Sequence, residues 1–541
     1  MSVLRAGPKV FAHYFLTFPI IYTSNQNSVN GEDVDSRWAS GGPGRGGTPN
    51  STANYHYRWG PGGNVAQTHA GVMRDGPLYM RAPRAAITSP TVPGKTLDFR
   101  IQDKITECRQ AILAGLDGFT IDLLDVPNEA AEYNLAASEV GGGAPLRWRQ
   151  TVELYEAAAE VNRQQGAGSI TICVMPDGST DGTMAPASLL ADAIDWLDDN
   201  YPGVNWRYNG RLVVAPYQPE VAPSYDNSVP GASPTTVPAY WSGVLDGLRA
   251  KGHNPFFWPC YSRTWTSAPQ HPLIAHLTQG ISTWGSRDPT TNAGEGTSYR
   301  QMYKHIRATY PGNVYMQPVS LQDSRPAPNN GQNYFESNHA ANLDQTWDNA
   351  IGDDTGLHIK ADAVQLPTWN DYAEGAHVAP SVNNGWCALD LSFWWMIKYK
   401  TGEFPSIVRD AIYLSHRVQP TDDAATMTYT GGQTVFMTKR SGGTPTQNTV
   451  GVVVYLVAPA DVVITIGTRE VLFANVPAGR HVRTTPLLPF GTGLISAAVE
   501  RGGSVVASVP SSSARQVGTT KVAQNVQYHF AKSLPNVVYT P

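Results

Sequence analysis

Charge is scarce in this sequence: Asp, Glu, Lys and Arg make up 15% of 541 residues, against a hydrophobic share of 41%. That composition excludes an intrinsically disordered chain and provides apolar material for a large core. A basic excess is also missing. Thirty-nine Lys+Arg against 44 Asp+Glu give a net charge of −5. Nothing is left to neutralise a phosphate backbone, which argues against a dedicated nucleic-acid partner. No apolar run reaches the ~18 residues of a membrane span, so no membrane partner is expected. Only four cysteines occur, Cys108, Cys173, Cys260 and Cys387, and no two form a CxxC pair. Zinc ribbons and thioredoxin-type sites are thereby excluded, and the four read as buried free thiols. His271 and His276 lack an HExxH frame. No metal site is expected there. Gly42-Pro43-Gly44-Arg45-Gly46-Gly47 spells GxGxxG but follows no strand and opens no helix, so it is read as loop.

What is present is a repeat of short apolar strands and longer amphipathic stretches from residue 8 to about 402. The strands are Lys9–Phe15, Gly118–Leu124, Ser169–Met175, Arg211–Pro216, Pro255–Trp258, Gly280–Trp284, Asn313–Pro318 and Ala363–Trp369. Their near-continuous apolar runs suit parallel strands covered on both faces. Helical spacing links them, as in Ile101, Ile105, Cys108 and Ile112, with Gly115 at the place of a C-terminal cap. Leu154, Ala158 and Val161 repeat the pattern, ending at Gly166, and further helices are predicted at 186–199, 238–250, 297–308, 339–351 and 386–400. Eight strands with intervening helices predict an α/β fold, a (β/α)8 TIM barrel over residues 1–415. Residues 20–95 form a long first loop at the carboxyl end of the first strand. From about 420 the pattern becomes short β-rich runs separated by turns, and a C-terminal all-β sandwich is predicted over 416–541.

In a barrel the chemistry sits at the carboxyl ends of the strands. Those ends supply His13, Asp122, Asp177, Tyr217, Trp258, Trp284 and then Trp369, Asn370, Asp371, Tyr372 and Glu374. Carboxylates and aromatics without a cluster of cations suit a sugar site, where flat rings stack on pyranose faces and acids bind hydroxyls. His13 reads as a hydroxyl ligand or a core histidine. Asp122 and Asp177 read as substrate ligands or helix caps. Tyr217, Trp258, Trp284 and Trp369 read as platforms or core. Asp371 and Glu374 are the sharpest pair, because glycoside hydrolysis needs one protonated carboxyl and one ionised one. A lone D-x-x-E also marks a helix N-cap, but its place at the last strand and its aromatic flanks select the hydrolytic reading.

The segments Val10-Phe11-Ala12-His13-Tyr14-Phe15, Gly115-Leu116-Asp117-Gly118-Phe119, Thr368-Trp369-Asn370-Asp371-Tyr372 with Glu374, and Leu391 to Gly402 carry a resemblance. The chain resembles glycoside hydrolase family 71, the α-1,3-glucanases called mutanases, and more distantly the family 99 endo-mannanases. The resemblance implies an endo-acting, inverting hydrolase of α-1,3-glucan with Asp371 and Glu374 as the catalytic pair. By analogy with family 99 it implies Glu374 as acid and Asp371 as base. It implies no cofactor and a polysaccharide α-glucan as partner. A monomer is expected, located outside the cell or in the periplasm, with the signal peptide absent from this numbering.

Overall fold

In the computed structural model, residues 7–16, 75–78, 84–123, 126–127, 133, 146–178, 185–221, 236–262, 274–293, 308–325, 332–352, 360–372, 374–418, 421, 437–486, 493–510, 525–533 and 539–540 are described. Most of the long first loop and most of the predicted 297–308 helix lie outside them.

One curled, parallel sheet organises the larger part of the chain. Its strands are β1 (Lys9–Tyr14), β2 (Gly118–Leu123), β3 (Thr171–Pro176), β4 (Arg211–Val214), β5, β6 (Gly280–Thr283), β7 (Val314–Pro318) and β8 (Ala363–Leu366). β5 comes in two pieces, Pro255–Phe257 and Cys260–Tyr261. The neighbours run β4-β3-β2-β1-β8-β7-β6-β5. The first piece of β5 pairs with β4 and the second with β6. β8 ends at Leu366, three residues before its predicted end. Residues beyond it turn away from the ladder to build the site.

Alternation along the strands sends side chains to two cores. Val10, Ala12, Ile172 and Val174 join the large apolar cluster under the helices. Phe11, Cys173, Met175, Trp206, Trp258 and Met316 fill the inside of the curl. The helices α1 (Phe99–Leu113), α2 (Leu146–Gln165), α3 (Ala187–Asn200), α4 (Val237–Ala250), α5 (Ala341–Ile351) and α6 (Cys387–Thr401) cover the outside. Asp98 caps α1, accepting hydrogen bonds from the N–H groups of Arg100 and Ile101, and Ile101, Ile105 and Cys108 face inward at helical spacing. All four cysteines are free and buried.

The C-terminal region holds two four-stranded antiparallel sheets. In chain order its strands are β9 (Ala411–Arg417), β10 (Thr449–Leu456), β11 (Ala460–Ile466), β12 (Arg469–Val476), β13 (Gly479–Pro486), β14 (Ile495–Arg501), β15 (Ser504–Val509) and β16 (Tyr528–Lys532). They order as β13-β10-β9-β16 and β12-β11-β14-β15. Ile412, Leu414, Val452 and Val454 share an apolar layer with Val462, Ile464, Ala497 and Val499. The expected boundary at 415/416 cuts through β9. That strand pairs with β10 and β16, so the β-rich part begins no later than Ala411. Tyr413, Val453, Tyr455, Tyr528 and Phe530 on the other face of the first sheet belong to the large core. The two parts therefore share one apolar interior.

Candidate active site

The turn after β8 is held from three sides before any acid is placed. Trp369 donates its backbone N–H to the carbonyl of His13 at 2.6 Å. The Asn370 amide clamps Phe15, accepting from its N–H at 2.7 Å and donating to its carbonyl at 2.9 Å. The Trp369 indole donates to Glu107 of α1 at 3.0 Å, and Tyr14 donates to the other Glu107 oxygen at 2.6 Å. Burial drives the Glu107 carboxyl up to about 7, even though these two donors and Lys104 favour its ionised form.

On that base the two predicted acids come together. The Asp371 N–H donates to the Thr368 hydroxyl at 2.9 Å, and Asp371 Oδ1 accepts the N–H of Glu374 at 2.9 Å. Burial first, and the Glu374 carboxylate second, push the Asp371 carboxyl well above its ordinary range. Glu374 has the opposite surroundings. Its Oε2 lies 2.8 Å from Nη2 of Arg325. Arg325 in turn forks onto Asp323, with Nε–Oδ1 at 2.9 Å and Nη2–Oδ2 at 2.8 Å. Burial opposes ionisation of Asp323, but Arg325 and then Arg287 outweigh it and hold that carboxyl below the usual range. One carboxyl of the D-x-x-E pair thus favours its proton while the other sits against a guanidinium. That arrangement can deliver a proton from one group and accept one at the other.

The surroundings contain cations that the sequence reading did not include. Arg287 is buried, with Nη1 donating to the carbonyls of Trp284 at 2.6 Å and Gly285 at 3.3 Å. Its guanidinium lies 5.5 Å from the Trp284 ring centroid. Trp284 meets His13 edge-on at 4.9 Å and Tyr217 at 4.8 Å. Burial and Arg287 lower the His13 pKa to about 3, so His13 is neutral and bonds Thr120 Oγ1 at 3.2 Å. Burial, Asp177 and more weakly Glu374 push the Tyr217 phenol well above its usual value. Tyr217 also shares a backbone bridge with Asp177. His13, Tyr217, Trp284 and Arg287 therefore form one cluster, with Asp177 bridged to Tyr217 and Tyr217 near enough to feel Glu374.

Four of the predicted ligands are corrected. Trp258 is fully buried inside the curl against Trp206 and Phe256, so no sugar can stack on it. Trp369 is equally buried and is held by Glu107. Asn370 spends its amide on Phe15. Tyr372 packs on His377 at 4.5 Å. These residues shape the turn that carries Asp371 and Glu374, and they face the protein rather than a ligand. Asp122 is buried within β2. Arg325 and Arg287 were not singled out from the sequence, because the contacts that tie them to the acid turn, Glu374 for Arg325 and the Pro367 carbonyl for Arg287, lie far away in the chain. Among the described residues no group of three or more His, Cys, Asp or Glu side chains could hold a metal ion.

Comparison with known proteins follows this geometry. The family model for Glycosyl hydrolase family 71 matches residues 242–533, just over half of the chain and including both acids. A Glucan endo-1,3-alpha-glucosidase of Schizosaccharomyces pombe is 23% identical over 412 residues, covering 73% of this chain and 83% of its own. Among solved structures, a GH99 endo-alpha-mannosidase from Bacteroides thetaiotaomicron is similar at a TM-score of 0.43 and 14% identity. That match covers 72% of this chain and 97% of the mannosidase. A GH138 enzyme targeting pectin rhamnogalacturonan II gives a TM-score of 0.37 at 9% identity, covering 73% of this chain and 49% of its own.

Proposed function

The chain belongs to glycosyl hydrolase family 71, and we propose that it cleaves α-1,3-glucan internally, with inversion, using Asp371 and Glu374 as its acid–base pair. The observation that carries this reading is the contrast within that pair. Burial pushes the Asp371 carboxyl well above its ordinary range, whereas Arg325 stands against the Glu374 carboxylate. In the unliganded protein this favours Asp371 as proton donor to the leaving oxygen and Glu374 as the base for water. It is the reverse of the assignment drawn from family 99. The reaction needs only water and the two carboxyls, so no cofactor enters the proposal.

The scaffold reading goes with it. Pairing of the two β5 pieces with β4 and with β6 supports a (β/α)8 barrel closed through residues 255–261. The shared apolar layer supports a β-sandwich for the two C-terminal sheets. No helix among the described residues is long and apolar enough to cross a membrane. A polymeric glucan does not cross a membrane either, which supports an extracellular or periplasmic place for the reaction.

The test is hydrolysis of insoluble α-1,3-glucan, beside α-mannan, with the new reducing ends followed by NMR. Inversion releases the β-anomer first. Asp371→Asn and Glu374→Gln should each lose on the order of 10²–10⁴-fold in kcat while keeping the wild-type fold. Full activity in both variants, or products from α-mannan alone, overturns the proposal.

A further inference from the structure

The C-terminal part of the chain reaches the acid pair through a small sheet. Ser324–Arg325 pairs antiparallel with Asn333–Tyr334, which pairs parallel with Thr438–Lys439. At one end, the N–H of Ser324 donates to the Glu374 carbonyl at 2.7 Å. At the other, the N–H of Arg440 donates to the Tyr334 carbonyl at 2.9 Å, and the N–H of Phe335 donates to the Asp323 carbonyl at 3.1 Å. Backbone hydrogen bonds thus run without a break from the Glu374 turn to Arg440.

The side chains at that far end make a flat plate. The Arg440 guanidinium lies over the Phe335 ring, 4.5 Å from its centroid. Its Nε donates to Asn333 Oδ1 at 2.8 Å, which fixes the plane. Arg440 is exposed, yet among the described residues no carboxylate forms an ion pair with it. It also feels the site: burial and the like charge of Arg325 lower its pKa, while Asp323 and Glu374 act the other way. An exposed arginine without a carboxylate partner would ordinarily turn into water, away from another cation. This one is held over the Phe335 ring, with its Nε on Asn333. A planar guanidinium on an aromatic ring offers what a pyranose needs, a flat surface with donors at its rim.

We propose that Arg440, backed by Phe335, is a glycan-binding subsite beside the point of cleavage, supplied by the C-terminal part of the chain. The ligand is a glucosyl unit of the polymer one or more sugars away from the scissile bond. The proposal rests on the reading of Asp371 and Glu374 as the acid–base pair acting on α-1,3-glucan.

Its test uses the full chain and a ladder of soluble α-1,3-linked gluco-oligosaccharides. In Arg440→Ala, KM should rise roughly tenfold for the longest oligosaccharides, with a penalty that shrinks as the chain shortens. Calorimetric binding to Glu374→Gln, compared with Glu374→Gln carrying Arg440→Ala, should show the same length-dependent loss without turnover. Arg440→Lys keeps the charge but not the plane and should resemble Ala rather than wild type. Equal affinities with and without Arg440, an equal penalty at every length, or full recovery by Lys would overturn the subsite. Failure of the substrate reading would look different: the wild-type protein would release nothing from, and bind, no member of the ladder, and the subsite would fall with it.

Discussion

At the scale of single residues, the site turns on a side chain that ties a neighbour in the chain to an acid 49 residues away. Arg325 touches two carboxylates at once, Asp323 through a two-point fork and Glu374 at 2.8 Å. A planar guanidinium can fork onto one carboxylate with two nitrogens while holding a second, whereas a lysine ammonium has a single nitrogen and cannot reproduce the fork. Arg325→Lys should therefore lower kcat on α-1,3-glucan by about tenfold, and Arg325→Gln by about 10²-fold, because Glu374 loses its fixed position. Circular dichroism and kcat measured side by side check this; wild-type turnover in Arg325→Gln would show that the ion pair positions nothing. The D-x-x-E pair itself was legible, since two carboxyls at a strand end among aromatics are uncommon without a use. The roles of its neighbours were not. Trp369, Asn370 and Tyr372 read equally well as ligands or as supports, and only their burial against Glu107, Phe15 and His377 decided for supports.

At the scale of elements, the turn after β8 depends on Gly375. It sits at φ +59°, and a Cβ there would stand 2.0 Å from Nε2 of Gln527. Gln527 comes from the segment leading into β16, so the acid-bearing turn is pressed directly against the C-terminal sheets. Gly375→Ala should cost about 1–3 kcal/mol in denaturant unfolding, from the left-handed backbone and the clash together. It should also lower kcat, because Glu374 is the preceding residue. Adding Gln527→Ala should recover the part due to the clash and leave the part due to φ. Among the strands, those of the parallel sheet were legible because both of their faces are covered, giving unbroken apolar runs. β12 and β13 were not. Both are edge strands: Gly479–Pro486 shows neither an apolar run nor clean alternation, and Arg469–Val476 carries Val471-Leu472-Phe473-Ala474 on largely exposed positions, a run that does not alternate.

At the scale of the whole molecule, polar groups are buried where the two parts of the chain meet. Arg417 of β9 donates to Glu336 at 3.0 Å and to the Tyr528 hydroxyl at 2.9 Å. His339 joins them from the larger part, bonding Ser415 at 2.9 Å and Thr449 at 2.8 Å. Burial, then Arg417 and His416, lower the His339 pKa from 6.5 to about 3. His13 is lowered to about 3 as well. Between these values the unfolded chain takes up protons that the folded chain refuses. The stability each histidine contributes is therefore present above about 6.5 and is lost as pH falls, by up to ~1.4 kcal/mol per group per pH unit. Glu107 has the other sign. Its carboxyl is raised from 4.5 to about 7, so its contribution is present below about 4.5 and is lost as pH rises through 7. Between pH 4.5 and 6.5 the two terms oppose each other, so in denaturant midpoints His339→Gln should reduce the gain in stability with rising pH across that window and Glu107→Gln should increase it; unchanged slopes in both variants would contradict these assignments.

By itself the sequence determined the parallel α/β architecture, the β-rich C-terminal part, the buried thiols and the position of the acid pair. Each of these is written in local pattern: apolar periodicity, turn residues, or chemistry packed into a few adjacent positions. Only the tertiary structure decided which aromatics are buried as supports, that burial raises the Asp371 carboxyl, and that an arginine from another loop pairs with Glu374. Those properties depend on burial and on charges a few ångströms away in space but tens of residues away in the chain, and no local pattern encodes that distance.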